Sequence, residues 1–135
     1  MTTAYDKSYV PPFPTLRVTL GEGSSRQGPF PALVDSGADV SLVPTRLLAK
    51  INAAEGRTVT IRSHFGERLL ARMYAIPLSV ESITLPGIFV VGSSDDEIIL
   101  GRNVLNKLAL FLDGPAQQTD LLDDATAQRL RARRE

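Results

Sequence analysis

The 135-residue chain contains no cysteine, no tryptophan, one histidine and no net charge. Without cysteine there are no disulfides, no thiolate metal ligands and no cysteine nucleophile. The one histidine, His64, sits in the polar run Arg62-Ser63-His64-Phe65-Gly66-Glu67-Arg68 with no serine or cysteine motif beside it. A loop histidine is the simpler reading than a member of a catalytic triad. Basic and acidic residues both number 15, so no electrostatic footprint points to nucleic acid or to an anionic membrane surface. No apolar run approaches the ~18 residues of a membrane span. The first residues lack a basic start followed by an apolar core. A cytoplasmic protein that contacts neither nucleic acid nor membrane is therefore expected. Asp95-Asp96-Glu97 has a metal-like composition, but no further ligand falls at a recognised spacing. No metal and no cofactor are expected.

What is present is ordinary in amount and informative in order. Apolar residues make up 43% and charged residues 22%, as in a globular domain long enough to bury a core. Leu16, Val18 and Leu20 alternate with Arg17 and Thr19, predicting a half-buried strand. Gly21 to Gly28 reads as a glycine-rich turn. Phe30–Val34 and Val40–Val43 read as short apolar strands, and Pro44–Lys50 as a short helix. Thr58–Ile61 and Leu69–Val80 predict two strands joined by a polar tip around His64–Gly66. Ile83–Val91 reads as a pair of strands turning near Pro86-Gly87. Asn103–Leu110 has helical spacing, and Phe111-Leu112 reads as a last strand ending at Asp113-Gly114-Pro115. Residues 115–135 are expected as a C-terminal tail, helical or frayed, behind a domain of residues 1–114. Many short strands with turn signals and few helices predict an all-β fold.

One segment stands out. In Ala32-Leu33-Val34-Asp35-Ser36-Gly37-Ala38-Asp39 a carboxylate follows an apolar strand and is followed at once by a hydroxyl and a glycine. Such an aspartate, alone, is most simply a turn or cap residue. Downstream, Ile98-Ile99-Leu100-Gly101-Arg102-Asn103 is a second apolar run closed by glycine, a weak echo of the first that suggests two similar halves.

Taken together, Asp35-Ser36-Gly37-Ala38-Asp39, the Ile98–Asn103 run and the intervening hairpin resemble the retropepsin-like aspartic proteases over residues 9–113. The resemblance implies a closed barrel-like lobe with a flap hairpin, and an endopeptidase that uses neither metal nor cofactor. It implies that Asp35 is catalytic and that Ser36, Gly37 and Ala38 shape the active loop. Ser36 stands where most retroviral members carry threonine. Asp39 is implied to contact substrate backbone and to form a sheltered pair with Arg102, braced by Gly101 and Asn103. Phe65 and Gly66 are implied to cover an extended peptide, although the tip is a poor match to the glycine-rich flaps of the family.

The chemistry sets a further condition. Peptide hydrolysis without a metal or a nucleophilic side chain needs one carboxylate to take a proton from water and another group to protonate the carbonyl oxygen. Two carboxyls about 3 Å apart do both, because they share one proton. This chain has a single Asp-Ser-Gly, so the dyad requires a two-fold homodimer with Asp35 supplied twice. The alternative is a catalytically silent dimer of the same fold that binds extended peptides.

Overall fold

The computed structural model describes residues 1–62 and 66–134. Ser63, His64 and Phe65, and with them part of the expected flap tip, lie outside the described residues.

The chain opens with strand β1 (Thr2–Ala4), then β2 (Thr15–Leu20), β3 (Gln27–Val34) and β4 (Ser41–Pro44). Helix α1 (Thr45–Lys50) follows, then the long strands β5 (Ala54–Arg62), β6 (Arg68–Val80) and β7 (Ile83–Ser93). Strand β8 (Ile98–Leu100) leads into helix α2 (Arg102–Leu105), the hairpin β9 (Leu110–Asp113) and β10 (Gln118–Leu121), and helix α3 (Asp124–Ala132). No helix among the described residues is long and apolar enough to cross a membrane.

The larger sheet runs β2-β3-β8-β4-β7-β6-β5, and β2 also pairs with β6. That pairing closes six strands into a barrel and leaves β5 attached outside β6. Period-two patterning fills the interior. In β2, Leu16, Val18 and Leu20 are fully buried while Arg17 faces out. In β6, Ile76, Leu78 and Val80 do the same from the opposite wall. Each such side chain contributes roughly 1.5–3 kcal/mol of burial, offset by the entropy of ordering it.

The expected turn at Pro86-Gly87 is not a turn. Strand β7 runs unbroken from Ile83 to Ser93, and Pro86-Gly87 lies where its register against β6 shifts, between the pairs Ile76–Ile88 and Leu78–Leu85. Two residues oppose Pro77 there, which is a bulge, and a bulge tolerates a proline that cannot donate to the ladder. The chain reverses instead at Glu81-Ser82, with Glu81 in the left-handed region at φ 51°.

Phe111-Leu112 is not the last strand either. Strand β10 returns to form the three-stranded sheet β1-β10-β9. Residues 115–121 are thus the turn and second strand of this hairpin, with Thr119 and Leu121 buried. Helix α3 follows, its first turn capped by the Asp123 carboxylate, which accepts from the Thr126 N–H at 2.7 Å.

Strand β8 positions the site. It is inserted between β3, to which it runs parallel, and β4, to which it runs antiparallel. The two apolar runs of the sequence therefore lie side by side, Leu33 opposite Ile99 and Val34 opposite Leu100.

Candidate active site

Asp35 is the first residue beyond β3. Its N–H donates to the Leu100 carbonyl at 3.0 Å, extending the parallel ladder by one bond. Ala32, Ile98 and Leu100 turn into the barrel, so Leu33 and Asp35 turn to the opposite face. Two bonds then fold the loop. The Ala38 N–H donates to the Asp35 carbonyl at 3.2 Å, and the Gly37 N–H donates to Asp35 Oδ1 at 2.9 Å. Asp35 is half-buried, and one oxygen of its carboxylate is held by backbone.

The loop from Asp35 to Val40 crosses the end of β8, where Gly101 leaves no room for a side chain. A Cβ there would meet the Val40 carbonyl carbon and oxygen at 2.6 Å and the Ala38 oxygen at 2.9 Å. Glycine is required for this close approach rather than for an unusual dihedral angle, since the backbone of Gly101 is extended. The next residue seals the contact, its N–H donating from Arg102 to the Ala38 carbonyl at 2.8 Å.

Arg102 also clamps the loop with its side chain. One guanidinium nitrogen donates to the Ser36 carbonyl at 2.8 Å and another pairs with the Asp39 carboxylate. The pair thus forms, but it is not sheltered in the single chain. The Asp39 side chain is 86% exposed and that of Arg102 45%, because both lie on the rim of the barrel. An ion pair in that setting contributes about 0–1 kcal/mol, so its value lies in holding the loop.

Asn103 ties the loop's far end. Its Oδ1 accepts from the Ser41 N–H at 3.0 Å and from the Ser41 hydroxyl at 2.9 Å, while its Nδ2 donates to the Phe89 carbonyl at 2.7 Å. The Ser41 hydroxyl in turn accepts from the Gly101 N–H at 2.9 Å. Ser41, which is 1% exposed, was not among the residues the sequence singled out. Its only signal is a small polar residue inside the apolar run Val40–Val43.

The fold thus brings together Asp35, Ser36, Gly37, Ala38, Asp39, Gly101, Arg102 and Asn103. Gly66 is placed apart, beside the start of β6 with φ 83° and open space around it. No hydrogen bond among the described residues ties it to the Asp35 loop. Phe65 lies outside the described residues. Among the described residues no group of three or more histidine, cysteine or acidic side chains is placed to hold a metal.

A closed barrel with an Asp-Ser-Gly loop anchored on an inserted strand is the architecture of retropepsin-like aspartic proteases. Residues 23–107 match the family described as "gag-polyprotein putative aspartyl protease", and the chain belongs to it. No curated protein matches the sequence. Among solved structures, the fold is similar to EIAV protease complexed with the inhibitor HBY-793, with a TM-score of 0.55 and 20% identity. That match covers 70% of this chain and 86% of the viral one. The retroviral protease-like domain of Ddi1 from Leishmania major also matches, with a TM-score of 0.47 and 16% identity over 83% of this chain and 95% of that one.

Proposed function

We propose that the protein is an aspartic endopeptidase active as a two-fold homodimer, with Asp35 from each copy forming the catalytic dyad. The observation that carries this reading is the Asp35 loop itself: a half-buried aspartate at a strand end, one carboxylate oxygen held by the Gly37 N–H and the backbone anchored on Leu100. A carboxylate so fixed has little freedom to lose when a second one approaches.

Across the two-fold axis the two carboxyls share a proton, as aspartic-protease dyads do in general. The ionised member takes a proton from water as the water attacks the peptide carbon. The protonated member donates to the carbonyl oxygen, giving a neutral tetrahedral diol. Proton transfer to the leaving nitrogen then breaks the C–N bond. In this reading Ser36 holds the two loops together across the axis, and Asp39, presented by Arg102, receives the backbone of an extended peptide. Gly66 belongs to the hairpin that covers that peptide.

The test is cleavage of an unfolded protein substrate by wild type and by Asp35→Asn, with and without a pepstatin-type inhibitor. Wild type is expected to cleave and to be inhibited, and the variant to retain less than ~0.1% of the rate, because it lacks the base. Equal rates for the two overturn the reading. Tight peptide binding without cleavage by wild type selects the silent peptide-binding dimer instead.

A further inference from the structure

We propose that the cleft between helix α3 and strand β9 binds a medium-chain alkyl carboxylate, with the alkyl chain in the cleft and the carboxylate held by Arg131 and Arg134. The cleft shares no residue with the Asp35 loop. Whether it binds is therefore independent of whether the chain cleaves peptides.

The helix does not close its packing face. Residues three and four apart share one side of a helix. Ala127, Leu130 and Arg131 form the side of α3 turned to β9. Arg134, whose N–H donates to the Arg131 carbonyl at 3.1 Å, continues that side by a turn. Ala127 is buried, but Leu130 stays 42% exposed and Phe111, on the β9 wall, 53%. The seam is thus open from Leu130 onward, where the two arginines begin. Between helix and strand lies a pocket of about 320 Å³ whose apolar lining includes Leu110, Phe111, Leu122 and Leu130. Pockets for small ligands begin at this volume and have this make-up, mostly apolar with a few convergent polar groups.

The charges select the occupant. Among the described residues neither the Arg131 nor the Arg134 guanidinium makes an ion pair or a hydrogen bond. Arg129, which does not line the pocket, is bonded to Thr126 Oγ1 at 3.1 Å. The acids of the helix, Asp123 and Asp124, stand at its other end, about 10 Å or more from Arg131 along the axis. The helix dipole favours cations in a last turn, but on any side of it. It does not call for two of them beside an exposed leucine and phenylalanine. A guanidinium meets a carboxylate with two parallel bonds. Every other side chain lining the pocket is apolar, so a peptide would bring its amides to side chains that cannot pair with them. An alkyl chain brings no such groups, and its acid end finds the two unpaired cations. The competing account is that the arginine stems merely cover the apolar floor while their heads stay in water.

The test is isothermal titration calorimetry of the full chain with decanoate below its micelle concentration, with octanoate and with 1-decanol. Decanoate is expected to bind one to one, about tenfold more tightly than octanoate because two more methylenes are buried. It should also bind at least about tenfold more tightly than 1-decanol, which lacks the charge. Arg131→Gln combined with Arg134→Gln should weaken decanoate at least about tenfold and leave 1-decanol unchanged. Leu130→Trp, which fills the pocket, should weaken both. Arg129→Gln combined with Arg133→Gln, outside the pocket, should bind like wild type. Circular dichroism shows which variants are folded, and the arginine variants decide should Leu130→Trp not fold. Folded wild type that shows no saturable decanoate binding overturns the site and leaves the arginine stems as a cover. Unchanged affinity in the Arg131 and Arg134 double variant overturns it as well. So does an equal loss in the Arg129 and Arg133 double variant, since the attraction then belongs to the arginine-rich end as a whole.

Discussion

Asn103 Oδ1 accepts both the N–H and the hydroxyl of Ser41, at 3.0 and 2.9 Å. This pair joins β4 to α2, and through the Gly101 N–H on the same hydroxyl it joins β8 as well. Asn103→Ala strands two donors of a residue that is 1% exposed. It is expected to cost about 2–4 kcal/mol, the range for breaking a buried network. Asn103→Asp keeps the acceptor for both Ser41 donors but sets a carboxylate oxygen against the Phe89 carbonyl in place of the bond there, and its loss should be smaller because the buried donors stay paired. Urea denaturation of the two variants checks the order, and an equal loss contradicts it.

Gly101→Ala should be among the most damaging single-methyl additions in the chain. The added carbon meets backbone atoms of Val40 and Ala38, which cannot rotate away as a side chain can. The loop must lift, and with it the backbone of Asp35. A loss of about 1–3 kcal/mol is expected from overpacking, with activity falling further than stability. Gly87→Ala, in open space, is the control and should leave both nearly unchanged.

Arg102→Lys separates charge from geometry. The ion pair with Asp39 is exposed, so losing its ideal form should cost under ~1 kcal/mol of stability. A lysine cannot hold the Ser36 carbonyl and the Asp39 carboxylate with one planar fork. Turnover is therefore expected to drop about tenfold or more while the thermal midpoint barely moves. A midpoint shift with unchanged turnover contradicts this assignment.

Two titrations are expected to stand apart. Bonding to the Thr126 backbone and hydroxyl holds the Asp123 carboxyl below the usual 3.8. A lowered folded value means that its stabilising effect is present above the ordinary carboxylate value and is lost as pH falls through the folded one. Helix α3 should fray first on acidification, seen as loss of amide protection near Thr126, and Asp123→Ala should fray it already at neutral pH. In the opposite direction, the hydrogen bond to the Glu97 carboxylate pushes the Tyr9 hydroxyl up to about 12. Its contribution is complete below 10 and fades as pH rises through about 12. Ultraviolet titration should find one tyrosine at that high value, and Glu97→Gln should return it toward 10.

Much of the site could be read from the chain because its residue types are rare in combination. An aspartate, a hydroxyl and a glycine after an apolar strand mark the end of β3, and Gly101-Arg102-Asn103 marks the end of β8. The Asp39–Arg102 contact was implied by the family resemblance that those two landmarks carry, but its exposure was not, since burial depends on what stands above the loop. Ser41 was invisible because a serine in a strand carries no signal until its neighbours in space are known. Pro86-Gly87 misled for a related reason. The same dipeptide makes a turn or a bulge depending on whether a partner strand runs past it, and here β6 does. Strand β10 was missed because Gln118–Leu121 is polar by sequence, its burial coming from β1 at the other end of the chain.

The insertion of β8 between β3 and β4 governs timing. Asp35 lies in the first third of the chain, yet the carbonyl that anchors it and the glycine that seats its loop come from residues 100 and 101. During synthesis the aspartate emerges long before the strand that arms it, and closing so distant a contact is intrinsically slow. A ribosome-bound fragment ending before residue 98 carries the acid without the carbonyl and the glycine that support its loop.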